Sequence, residues 1–203
     1  RAALEKYGPK ITGTLADYLG DPQINTELKK EVIAAMARIG NQEAADFLLW
    51  EMEDQKDILE SELIDALDRI RSTRPDVYFK ERSVKDKIAQ HIKEYCSDLI
   101  ETLEKRSPKN QDPRTRTDMP QHLINRLSNI FKLLGLIYPH EDTMKSYQNI
   151  RMGTKDSVAY AVELLDNLMQ KEIKDALFPL IENLNPKERI ARCRALLKDF
   201  PHF

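Results

Sequence analysis

Apolar residues recur along this chain in steps of three and four, the spacing that gathers side chains into one stripe of a helix. Nothing comparable alternates with the period of two that a half-buried strand requires. The clearest run is Val158, Ala161, Val162, Leu165, Leu168 and Met169. Turn chemistry marks where such stripes begin and end. Ile11, Leu15, Tyr18 and Leu19 form a short stripe ended by Gly20, Asp21 and Pro22. Thr26 then reads as the N-cap of a helix with Leu28, Val32, Ala35, Met36 and Ile39 on its face, and Gly40 supplies a left-handed stop. Asn41 opens the next helix, striped by Ala44, Ala45, Leu48, Leu49 and Met52, and Ile58, Leu59, Leu63, Leu67 and Ile70 stripe the one after, up to a break at Pro75.

The second half follows the same rules. The spacing predicts a long helix from about Val84 to Lys105, with Ile88, Ile92, Tyr95, Cys96, Leu99, Ile100 and Leu103 on one face. Pro108, Pro113 and Pro120 then give the stretch from Ser107 to Pro120 the composition of a surface loop. Leu123, Leu127, Ile130, Phe131, Leu134 and Ile137 carry the next helix, a helix from about Glu141 to Arg151 is closed by Gly153, and another covers Lys155 to Gln170. Two short helices complete the chain, one striped by Ile173, Leu177, Leu180, Ile181 and Leu184, the other by Ile190, Cys193 and Leu197. Asn185 followed by Pro186 is a specific start signal for the last of them. About ten helices joined by short breaks make about five antiparallel hairpins, each with an apolar face that its own partner cannot cover. The expected fold is therefore all-α, an α-solenoid treated as a single domain over 1–203, with N-terminal hairpins over 1–106, a surface loop over 107–119 and C-terminal hairpins over 120–203. Such scaffolds bind partners far more often than they transform them.

Composition narrows the picture by exclusion. With 32 basic against 34 acidic residues and a formal net charge of −2, the chain as a whole has no electrostatic reason to seek nucleic acid. The longest apolar runs, such as Ile130 to Tyr138, are interrupted by Lys132 and fall short of the roughly 20 residues a membrane span needs. Cys96 and Cys193 sit within apolar stripes rather than in a CxxC pattern, which fits a reducing compartment and two buried thiols. The chain opens on Arg1 and shows no secretory leader pattern, which points to processing or to a piece of a longer chain. A cytoplasmic location is expected.

Candidate chemistry is sparse. No two of His91, His122, His140 and His202 stand four apart on one predicted helix, and His140 beside Glu141 and Asp142 is better explained as an acidic helix start than as a metal site. Asp65 with Asp68, and Asp54 with Asp57, space carboxylates as an acid/base pair would, but solvated helix faces account for them better. The glycines form neither a dinucleotide nor a Walker pattern. The nearest approach to an anion or membrane-surface contact is Arg106, Lys109, Arg114 and Arg116 in the Pro-rich loop. Trp50, Tyr78 and Phe79 are candidates for interface anchors as well as for ordinary packing. No cofactor, metal or catalytic residue is expected.

The stretch from Leu28 to Ala45, an inner helix, a Gly-Asn turn and a small-residue start to the next pair, resembles HEAT repeats, whose hairpins run about 40 residues. The Gly-Tyr and Pro positions of tetratricopeptide repeats are not recovered. More specifically, Asn129 to Pro139, Ala161 to Leu168 and Leu177 to Ile181 resemble the HEAT-like region that follows the membrane domain of bacterial ATP/ADP-translocase-like transporters. The resemblance covers about 70 residues near the C-terminal end. It implies a non-enzymatic accessory or regulatory domain at the cytoplasmic face of the inner membrane, whose partner is a protein or its own membrane domain, and it carries over no nucleotide-binding residue. Asp166 and Asn167, in its most distinctive phrase, are expected to bond backbone groups of a neighbouring hairpin. The rival expectations are a HEAT-like enzyme, such as a DNA glycosylase or bilin lyase, and a free-standing scaffold.

Overall fold

The computed structural model describes residues 11–54, 59–105 and 119–203. Among them the periodic stripes form ten α-helices and no strand: α1 Thr12–Gly20, α2 Thr26–Ile39, α3 Gln42–Asp54, α4 Glu60–Thr73, α5 Glu81–Lys105, α6 Gln121–Ile137, α7 His140–Met152, α8 Lys155–Leu168, α9 Lys171–Ile181 and α10 Pro186–Lys198. None of these helices is long and apolar enough to cross a membrane. The chain divides into two compact units, the first comprising Arg1–Val84 with Gly135–Ile137, the second Lys85–Leu134 with Tyr138–Phe203.

In the first unit, helix ends follow from backbone chemistry. Gly40 takes φ 59°, a left-handed conformation that glycine adopts without a Cβ penalty, and its N–H closes α2 on the Met36 carbonyl. Asn41 then caps α3, its side-chain oxygen accepting the Ala44 N–H at 2.9 Å. Consecutive helices pack as neighbours, and α1 also meets α3 while α2 meets α4. The interior holds Leu19, Met36, Leu48, Met52, Leu63 and Ile70, all fully buried. After α4, Val77 and Phe79 are buried, and Arg71 fastens this turn by donating to the Pro75 carbonyl at 3.2 Å and placing its guanidinium 4.7 Å from the Phe79 ring centre.

In the second unit, the α5 stripe buries Ile88, Ile92, Tyr95, Cys96 and Leu99. Arg126 of α6 joins two acids of α5, Asp98 at 2.9 Å and Glu94. α7 packs on α8, α8 on α9 and α9 on α10. Asn185 and Glu188 build a full capping box at the start of α10, with Pro186 in the first turn, where its missing N–H costs nothing. Gly153 closes α7 at φ 71°.

Several expected details are corrected. Asn25, not Thr26, caps α2, because its backbone is still extended and its Oδ1 accepts the Leu28 N–H at 2.9 Å, while Thr26 is already helical. Leu28 and Tyr18, placed on stripes by spacing, are exposed. On α10 the buried pair is Cys193 and Leu196, one step of three, and Leu197 faces outward.

Candidate functional site

An α-helix that buries one stripe presents another to its surroundings, and on α3 the two are cleanly separated. Ala44, Ala45, Leu48, Leu49 and Met52 are buried. Gln42, Glu43, Asp46, Phe47 and Trp50, two positions away and therefore rotated by roughly 200°, line one wall of an open groove of about 710 Å³. Thr12, Gly13, Ala16 and Asp17 of α1 form the facing wall. Small residues keep the α1 side low, and Gly13 has nothing within 4 Å of the place a Cβ would occupy.

The α3 wall combines aromatic surface with negative charge. Phe47 and Trp50 have ring centres 5.4 Å apart at a tilt of 48°, and Trp50 is 53 % exposed, unusual for the largest amphipathic side chain. Asp17, Glu43 and Asp46 are all exposed at the groove, and among the described residues no basic side chain lines it. Asp46 accepts from the Gln42 amide at 2.8 Å, whereas Asp17 and Glu43 have no partner among the described residues. The groove thus offers an apolar contact ringed by acids with spare hydrogen-bonding capacity. Among the described residues that line it, no nucleophile is paired with a base.

The other candidate residues lie elsewhere. Arg106, Lys109, Arg114 and Arg116 fall outside the described residues. Asp166 accepts from Lys174 of α9 at 2.8 Å, which also donates to the Asp166 carbonyl at 3.0 Å, so this acid ties α8 to the next helix through a side chain. Asn167 instead donates to the Glu163 carbonyl of its own helix at 3.0 Å. His140, Glu141 and Asp142 form the first turn of α7. Among the described residues no group of three or more His, Cys, Asp or Glu side chains is arranged to hold a metal ion. Trp50 and Tyr78 stand exposed, and Phe79 is buried. The groove was missed in the sequence because it needs α1 and α3 side by side; the off-stripe Phe47–Trp50 pair was its visible trace. Comparison with family models, with curated proteins and with solved structures returns no match.

Proposed function

We propose that this chain is a non-enzymatic protein-interaction module of successive HEAT-like helical hairpins, and that the α1–α3 groove receives a basic amphipathic segment of a partner protein. The observation that carries this reading is the exposed Trp50 set against Asp17, Glu43 and Asp46. A Lys- or Arg-bearing helix can lay apolar side chains on Phe47 and Trp50 while its cations reach the acids, and a cation over an indole face adds attraction. Aromatic anchors of this kind dominate interface energetics, and the surrounding charges set orientation and partner choice. In the setting that the sequence resemblance implies, an accessory domain of a translocase-like transporter, the same chemistry fits the membrane domain's own cytoplasmic loops, which carry an excess of Lys and Arg.

Trp50 is the sole tryptophan of the chain, so its fluorescence reports directly on the groove. Titration with an amphipathic Lys/Leu peptide should change that fluorescence saturably and with an affinity that falls as salt rises. The double substitution Asp17→Lys, Glu43→Lys should weaken binding at least tenfold, because it replaces attraction by repulsion at two exposed sites. Binding of equal strength to the double variant, or to an acidic peptide of matched hydrophobicity, refutes the proposal.

A further inference from the structure

The second unit contains a cavity of about 180 Å³ between α5, α6 and α7, separate in its chemistry from the groove. Its walls are the buried Tyr95, Leu123 and Ile150, with Leu127 half-buried at the side. An apolar cavity of about 150 Å³ lined by such side chains stays dry and accepts a small aromatic molecule, so this one has room for a ring or a short hydrocarbon chain. What distinguishes it from a packing defect is its polar edge. Tyr147 and Arg151 stand four apart on α7 and therefore on one helix face, and both line the cavity. Phe131 holds the Tyr147 ring at 5.2 Å between centres, which fixes where its hydroxyl sits. That hydroxyl has no hydrogen-bond partner among the described residues, and the exposed Arg151 has no ion-pair partner among them.

We infer that this cavity binds a small amphipathic carboxylate, its hydrocarbon part against Leu123, Leu127 and Ile150 and its carboxylate at Tyr147 and Arg151. A hydroxyl and a guanidinium one turn apart offer convergent donors to a single anionic group, and the guanidinium can engage both carboxylate oxygens. A neutral molecule of the same shape would bury the same apolar surface and leave the cation unused. The chemistry therefore selects an acid over the corresponding alcohol.

The experiment is calorimetric titration of the full chain with octanoate and, in parallel, octanol. Octanoate should bind at least about tenfold more tightly than octanol, and Arg151→Gln, a change at an exposed position, should abolish that preference. Leu127→Trp, which fills the cavity from its half-exposed wall, should remove octanoate binding while thermal unfolding shows the chain still folded. The inference is overturned by equal affinity for octanoate and octanol, by undiminished octanoate binding in either variant, or by absence of octanoate binding at millimolar concentration.

Discussion

The side chain of Gln42 pairs with the backbone of Tyr78 in both directions, its amide nitrogen donating to the Tyr78 carbonyl at 2.7 Å and its oxygen accepting the Tyr78 N–H at 2.9 Å. A side chain at the first position of α3 thereby does for the segment after α4 what a neighbouring strand would do, and it fixes the position from which the exposed Tyr78 ring projects.

Both bonds depend on the amide being at once donor and acceptor. Gln42→Glu keeps the length and loses the donor, setting a carboxylate against the Tyr78 carbonyl. The expected cost is about 1–2 kcal/mol, from the donated hydrogen bond lost and a carboxylate set against a carbonyl at an exposed site. Chemical denaturation measures it, and amide exchange at Tyr78 should accelerate. Unchanged exchange at Tyr78 would show that buried Val77 and Phe79 hold this segment without Gln42.

Leu165 lies at the centre of the α8 stripe and is fully buried, as are Ala161 below it and Ile173 on α9. Leu165→Ala should destabilise the protein by roughly 2–5 kcal/mol through lost burial and the cavity left behind. Val162→Ala, on the same helix but half-buried, should cost less. A melting temperature unmoved by Leu165→Ala would mean that α8 can detach without loss of the remaining structure.

How far the sequence foretold this depends on the kind of information each feature needs. Gly40, Gly153 and the Asn185–Pro186–Glu188 start are local devices, decided within one turn of backbone, and were legible at the residue level. Leu28, Tyr18 and Leu197 share the period of their stripes but lie at stripe edges, where packing against the next helix decides burial, and periodicity alone assigned them inward. Asn25 and Thr26 are both good cap residues, and only backbone direction chooses between them. The groove joins residues 12–17 to residues 42–50, and the cavity joins α5, α6 and α7, so neither exists in any one segment. What one segment did contain was the pair Phe47 and Trp50 on the side of α3 opposite its apolar stripe, a hydrophobic expense that burial does not explain.

Asp76 gives a pH prediction with a definite sign. Arg74 donates to both of its oxygens, at 3.1 and 3.0 Å, and this pairing holds the carboxyl below its ordinary value of 3.8. A carboxyl depressed by folding contributes stability above its unfolded pKa, and that contribution is lost as pH falls through the lower folded value. Asp76→Asn should therefore be less stable than the parent near neutrality, and the two should converge in acid below the ordinary value of 3.8. Both residues are well exposed, so the difference should be small and should shrink with added salt. A difference that persists undiminished in acid would assign it to the backbone of the turn rather than to the charge.

Cys96 and Cys193, distant in sequence, meet in the interior, each fully buried, with a hydrogen bond between their sulfurs. Around them α5 and α10 also share the Arg194–Glu104 pair, and the Lys93 ammonium of α5 lies 4.5 Å from the ring centre of Phe200, just after α10. The hydrogen bond from Cys96, helped by nearby Arg189, lowers the pKa of Cys193 from its ordinary value of 9.0. The same bond, with burial, pushes Cys96 well above its own. Cys193 should then be the first of the two thiols to lose its proton, at a pH below its ordinary value of 9.0, a step followed by ultraviolet thiolate absorbance. In Cys96→Ala the donor is gone while burial remains, so the Cys193 step should move upward in pH. A Cys193 step that stays in place in that variant would assign its lowering to Arg189 alone, which Arg189→Gln would then abolish.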